Sequence, residues 1–480
     1  MKLRLKHKTG YGVLSIADQC LYFMFGTFFL FFLTVVAGIN PVIAGIIASF
    51  GAIWDAVSAL WVGHLSDNCT SEKGKRKPFI FYSAIPATII TVLIFTKVDF
   101  TPALKILYYL IVTLLFWTAF SMFFIPVLAW GAELTGDYDE RTVLRGFAYA
   151  GNTLGMAVGS VLPAIFVDYF RQKGNSVAVS WQLSACVVGA AVVGALWGGL
   201  FLLKDKKEKT ESAKNIGETK YENYIKSDKN IFSKIKKMLC SAGEIIKIPS
   251  LTFLLAGSIL YLGANTVFLA DRMYYYTFNM GLTPKEISRL MLLEPFAGII
   301  FLPLILLSSK VLDRRMQFIS GMLICGISMI FLRFTGVNTF GEAGFMLIVF
   351  GLGAVCYWQL MPAMVYDVCR LDILKNGKER QGSIVSLQVF SESASEALGL
   401  IILGVILNFS GFDGEAGAQS AKALRRISDG FTLIPGILMI LSAYSGYKYP
   451  ITKKIYVEIE RELANKRQGK LIDTEKFKHL

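Results

Sequence analysis

Apolar runs of bilayer-crossing length return along nearly the whole of this 480-residue chain. A helix needs about 20 residues to cross the hydrocarbon of a bilayer, and such runs centre on Tyr22 to Val36, Ile106 to Ala129, Leu183 to Leu203 and Gly344 to Trp358. Inside lipid every backbone amide and carbonyl must be paired within the span, so the runs have to be helices. With 54% hydrophobic and only 18% charged residues, and a mean hydropathy of +0.52, most of the chain is solvated by lipid. Polar punctuation places spans near 11–37, 41–65, 78–97, 103–132, 144–170, 178–203, 248–272, 286–309, 316–333, 341–368, 382–409 and 428–448. The expected fold is an all-α polytopic membrane protein of about twelve helices, with the opening segment read as a first span and not as a cleaved leader.

The net charge of +14 is distributed between the spans and forms no basic domain, which argues against a nucleic-acid partner. It is better read as topology. Cations crowd the N-terminus, the loops at 73–77, 310–315 and 370–380, and the stretch after Leu203, while the alternate loops Ala37 to Asn40 and Gly336 to Gly341 are nearly uncharged. Arg171, Lys173, Arg425 and Arg426 are exceptions. By the positive-inside rule both termini face the cytoplasm of a cell membrane. The polar stretch 204–247 divides the chain into a six-helix bundle over 1–203 and another over 248–449, followed by a cytoplasmic tail over 450–480. Two bundles of six are the plan of major-facilitator transporters, which bind solute between the halves near the midplane. The seven cysteines show no CxxC spacing, and His7, His64 and His479 lie near span edges or chain ends. No metal and no cofactor is expected.

Several motifs sharpen this plan. Gly63-His64-Leu65-Ser66-Asp67 with Gly74-Lys75-Arg76-Lys77 resembles the major-facilitator loop signature, in which an acid and following cations form a cytoplasmic latch. Ile53-Trp54-Asp55-Ala56, Ala132-Glu133-Leu134-Thr135 with Asp137-Tyr138 and Glu140-Arg141-Thr142, Tyr274-Tyr275-Tyr276, and Asp367 with Gly377-Lys378-Glu379-Arg380-Gln381-Gly382 occur in order between about 10 and 450. Together they resemble the glycoside-pentoside-hexuronide:cation symporter family, the melibiose-permease type. The resemblance implies a latch formed by Asp67, Lys75, Arg76, Glu133, Arg141, Asp367 and Arg380. It also exposes departures, because positions where sugar-transporting members carry charged ligands read Ala52, Ala59, Phe124, Tyr149 and Ser393. Asp18, Asp55 and Trp358 match the family pattern.

A carboxylate inside a span is costly and is read as functional. Asp18, Asp55, Glu392 and Glu396 are the expected cation-coupling residues, the two glutamates lying on one helical face. Few arginines or lysines fall at these depths, so the acids are expected to lack cationic partners and to protonate, bind a cation or face water. The coupling ion is read as H+, with Na+ as the alternative. The bland readings are a solvated vestibule for Glu392 and Glu396, a structural hydrogen bond for Asp55, and for Glu294, beside Pro295, satisfaction of amides freed at a kink. Tyr22, Trp54, Tyr149, Asn152, Trp358, Gln359 and Gln388 are the expected substrate contacts, by stacking or neutral hydrogen bonds. Gly151, Gly155 and Gly159 read as a helix-packing stripe.

The expected function is cation-coupled symport of a glycoside or related organic solute by alternating access, with a monomer in the bilayer as the working unit. A lysolipid-like or other amphipathic cargo is the alternative within transport. A non-transporting sensor or an intramembrane enzyme is the alternative outside it, and no nucleophile elbow or acidic metal motif speaks for an enzyme.

Overall fold

The computed structural model describes residues 3–67, 69–71, 74–134, 138–203, 246, 248–309, 311–377, 380–414, 416, 418–468 and 475–477. Twelve helices among them are long and apolar enough to cross a membrane. The first six are α1 (Leu5–Val36), α2 (Pro41–Asp67), α3 (Lys77–Ile94), α4 (Pro102–Glu133), α5 (Tyr138–Gln172) and α6 (Val177–Leu202). The second six are α7 (Pro249–Asn279), α8 (Pro284–Met291, continued past Leu292 by Leu293–Ser308), α9 (Arg314–Thr335), α10 (Phe340–Asn376), α11 (Gln381–Ser410) and α12 (Ala421–Lys448). A further helix, α13 (Lys453–Arg467), is polar and follows the last span. The expected division at 204–247 falls almost wholly outside the described residues.

Local chemistry sets the helix ends. α8 and α10 each begin with a capping box, Thr283 with Glu286 and Thr339 with Glu342, which satisfies amides that would otherwise be orphaned. α10 stops at Gly377, whose φ of +62° only glycine adopts without strain. Its last carbonyls are closed from outside: Lys466 of α13 donates to Ile373 O at 3.3 Å and Leu374 O at 3.1 Å. Arg370 fixes α13 further through two bonds to Glu460 at 2.5 and 2.7 Å.

Within the first half, α1 lies in a groove of α5. A methyl on Gly151 would sit 1.9 Å from Gly12 O, on Gly155 2.4 Å from Ile16 O, and on Gly159 2.1 Å from Cys20 O. The glycine stripe is therefore a packing device, as the sequence suggests, and it holds the acid-bearing helix α1 by backbone contact. Rings fill the space on the other side of α1, where Phe25 stacks on Phe116 at 5.1 Å and meets Trp117 edge-on at 5.0 Å.

Among the described residues, the halves meet chiefly through α2 with α11, α1 with α7 and α5 with α8. We call the side bearing Leu3 and α13 the terminal side and the opposite one the far side. Among the described residues, the hydrogen bonds that join the halves run from mid-span to the far side. Asn40 donates to Asn408 at 2.7 Å, Ser49 to Ala397 O at 2.7 Å, and Ser288 to Val161 O at 3.4 Å, while the Thr34 and Tyr274 hydroxyls are 2.6 Å apart. Gly45 and Gly404 let α2 and α11 touch, since a methyl on either would fall 2.7 Å or less from a backbone oxygen of the other helix. On the terminal side Trp61, Ile53 and Val57 of α2 and Val389 and Phe390 of α11 are exposed.

Candidate functional site

Four carboxylates lie where the hydrogen bonds between the halves begin. Asp18 on α1 is buried and accepts from the Gln19 amide at 2.7 Å. Asp55 on α2 accepts from Ser121 of α4 at 3.1 Å, and Ser121 is itself 2.8 Å from Ser58. On α11, Glu392 accepts from Tyr357 at 3.2 Å and Gln388 at 3.1 Å, and Gln388 also donates to Ser258 at 2.8 Å. One turn further, Glu396 accepts the hydroxyl of Tyr22, a hydrogen bond from the first half to the second. Asp55 is within Coulombic reach of both Asp18 and Glu396, and Glu392 of Glu396. The four expected coupling residues are therefore one electrostatic cluster, and no lysine or arginine bonds directly to any of them among the described residues. Neighbouring carboxylates out of water oppose one another's ionisation.

A cavity opens beside Tyr22 and Glu396. It is lined by aromatic and aliphatic groups from both halves, including Phe25, Phe29, Trp117, Leu269 and Leu400, with Asn265 and Thr266 as polar members. Trp117 lines the cavity, and its indole N–H is buried without a partner. An unpaired buried donor costs about 1–3 kcal/mol, and this one lies against Gly51 of α2, where even a methyl would fall 2.6 Å from the indole nitrogen.

Tyr22 apart, none of the expected substrate contacts is in this cavity's lining. Trp54 donates to Thr118 at 2.9 Å and so ties α2 to α4. Tyr149 stands between the halves, its hydroxyl 3.3 Å from where a methyl on Gly298 of α8 would be. The Asn152 carbonyl is buried and unpartnered on the next turn of α5. Trp358 is half exposed and packs edge-on against Tyr357, Gln359 follows it half-buried on α10, and Gln388 belongs to the Glu392 network.

The expectation that cations are nearly absent at depth needs correction. Arg272 on α7 is fully buried, pairs with Glu294 of α8 at 2.6 Å and donates across the halves to Thr27 of α1. Glu294 therefore answers a buried guanidinium and not amides freed at a kink. The expected seventh span ends at 272, whereas the helix runs on to Tyr274 and then as a π-turn over Tyr275–Asn279, which leaves Asp271 and Arg272 inside it. The run of three tyrosines after Arg272 was the available signal. Asp271 is fully buried with neither oxygen partnered, against Gly430 of α12. We have no physical account of it.

The expected latch is partly described. Arg76 donates to Glu133 at 3.1 and 2.7 Å and to Ser66 at 2.5 Å, joining the second loop to the end of α4. Lys75 is exposed beside it, and the side chains of Asp67 and Arg141 lie outside the described residues. The two other described latch residues, Asp367 and Arg380, take part in separate ion pairs. Asp367 accepts from Arg314 of α9 at 2.8 and 3.0 Å, and Arg380 binds Asp372 at 2.7 and 3.1 Å. α10 continues to Asn376, about two turns beyond the expected end at 368.

Twelve spans in two packed sets of six, joined on one side around a central polar site, define a secondary membrane transporter of the major-facilitator type. The chain belongs to the family described as MFS/sugar transport protein, whose profile matches residues 10–453. It is similar to the uncharacterized symporter YnaJ of Bacillus subtilis, with 23% identity over 99% of this chain and 98% of that protein. It is also similar to the isoprimeverose transporter of Lactiplantibacillus pentosus, with 23% identity over 97% of this chain and 93% of the relative. Among solved structures, a proton-dependent oligopeptide transporter superposes with a TM-score of 0.67 at 13% identity, covering 95% of this chain and all of that one, which speaks to the fold alone.

Proposed function

We propose that this transporter is a cation-coupled symporter of a glycoside or related organic solute, of the melibiose-permease type, with the proton as coupling ion and both termini cytoplasmic. The observation that carries the reading is the Tyr22–Glu396 hydrogen bond. It joins the two halves at a carboxylate that is one of a cluster of four. Protonating Glu396 removes the charged acceptor and the penalty of enclosing a charge. The occupancy of the cluster thus bears on whether the halves can close or separate at this point, which is what coupling by alternating access requires.

A proton needs one basic oxygen, whereas a sodium ion needs several oxygen ligands. Ala59 stands where the resembling family carries a second acid in the second span, which favours the proton. Sugar cargo is supported by the family description and by the isoprimeverose relative. A second reading, an amphipathic or lysolipid-like cargo, draws on the mainly apolar and aromatic lining of that cavity.

A screen of glycosides and lysolipids for uptake into proteoliposomes separates the two. Accumulation of a glycoside that lysolipids do not inhibit is expected. Lysolipid movement with no glycoside taken up would replace the first reading by the second.

A further inference from the structure

Away from the central site, four cations surround one groove on the far side. Arg333 at the end of α9 and Lys422, Arg425 and Arg426 in the first turns of α12 line it, with Asp429 as the one acid in its lining. Both oxygens of Asp429 are engaged, Oδ1 by Arg333 at 2.7 Å and Oδ2 by Arg426 at 3.3 Å. Four positive charges against one negative leave a surplus of three. Lys422 and Arg425 are exposed and make no ion pair among the described residues.

The segment Ala421–Ser428 explains the arrangement. Its cations fall at i, i+3 and i+4 on one face, while Ala423 and Ile427 are buried on the other. Asn279 of α7 donates to Leu424 O at 2.8 Å and to Ser428 at 3.0 Å, which fixes the segment in place. Immediately below the groove, α9 presents Ile327, Phe331 and Phe334, 57%, 63% and 80% exposed, as one outward stripe at helical spacing. α9 packs on α10 and α12 and so stands apart from the helices that line the central cavity.

We propose that this groove binds the phosphate headgroup of an anionic glycerophospholipid in the far-side leaflet, with an acyl chain lying along the Phe334–Phe331 stripe. Charge selects a phosphodiester over a zwitterion of no net charge. The aromatic stripe that begins at the cations selects a lipid over a free anion, because a dissolved phosphate gains nothing from it. The same occupant accounts for cations that run against the positive-inside pattern at Arg425 and Arg426. It would hold the start of α12 to the end of α9 from the membrane side.

The test is native mass spectrometry of the full-length protein titrated with phosphatidylglycerol, phosphatidylcholine or glycerol 3-phosphate. Phosphatidylglycerol should bind tightest, and the variant Lys422→Gln/Arg425→Gln should lose on the order of tenfold in its affinity, as the removal of two surface cations near an anionic headgroup implies. Lys453→Gln/Lys454→Gln, on the terminal side, should bind as the unmodified protein does. Unmodified protein should also lose phosphatidylglycerol with rising salt more steeply than phosphatidylcholine, a readout that needs no variant. Equal affinity for phosphatidylcholine, or no effect of either the substitutions or salt, would overturn the proposal. Glycerol 3-phosphate binding as tightly as the lipid would make the groove a solute-anion site instead.

Discussion

Removing the Glu294 carboxylate alone, as Glu294→Ala, should cost more stability than removing the ion pair entirely. Arg272 is fully buried, and among the described residues its guanidinium binds Glu294 at 2.6 Å and the Thr27 hydroxyl. Without Glu294 the guanidinium keeps a neutral hydroxyl as its one described acceptor. Breaking a buried pair from one side costs about 3–5 kcal/mol because the remaining charge is uncompensated, whereas replacing both partners by apolar groups of similar volume is often neutral. Thermal unfolding of detergent-solubilised protein, followed by tryptophan fluorescence, would compare Glu294→Ala, Arg272→Met and the double variant Arg272→Met/Glu294→Leu. Expected is a large drop for each single change and a smaller one for the double. If the double variant lost the sum of the two single effects, the pair would carry no coupling and the reading of Glu294 as the counter-charge of Arg272 would be wrong.

Three further outcomes follow from the site and the fold. Gly155→Val should destabilise by about 1–3 kcal/mol or more, since even a methyl there would lie 2.4 Å from the Ile16 carbonyl oxygen; an unfolding midpoint equal to the unmodified protein's would refute tight α1–α5 contact. Trp358→Ala and Tyr149→Ala should weaken solute binding by about 0.5–1.5 kcal/mol for each lost stacking contact, read as affinity in a binding assay with folded protein held constant, and unchanged affinity in both would place the solute elsewhere. Cysteines introduced at Asn215 and Asn465 should stay unmodified by an impermeant thiol reagent added to intact cells, and labelling of either would reverse the assigned orientation.

The spans were legible because hydrocarbon imposes a single rule on the backbone, and the rule writes itself as length and apolarity. The glycine stripe on α5 was legible for a related reason, since small residues at four-residue spacing have few other uses in a span. What escaped was charge pairing at depth. Asp271 and Arg272 look like the end of a helix when polarity marks the boundary, yet the guanidinium finds Glu294 on α8 and the helix continues as a π-turn to Asn279. Partner choice on the terminal side was equally hidden. Asp367 and the cations after α10 are close in the sequence, but the partner of Asp367 is Arg314, 53 residues away on α9. The central cluster lies between these cases. The acids were visible as expensive residues, Glu392 and Glu396 could be placed on one face, and only the packing of α1 on α7 and α2 on α11 reveals that Tyr22 reaches Glu396.

The coupling claim meets its most direct test in proteoliposomes holding the unmodified protein or Asp55→Asn, supplied with a transported solute under an imposed pH gradient or an imposed sodium gradient. Asp55 is held by Ser121 at 3.1 Å inside the four-acid cluster, and asparagine keeps that hydrogen-bond acceptor while removing the titratable charge. Expected is solute accumulation driven by the pH gradient in the unmodified protein, and in the variant exchange down a concentration gradient with no accumulation. Accumulation that requires sodium and ignores the pH gradient, or undiminished accumulation by Asp55→Asn, would contradict proton coupling through this cluster.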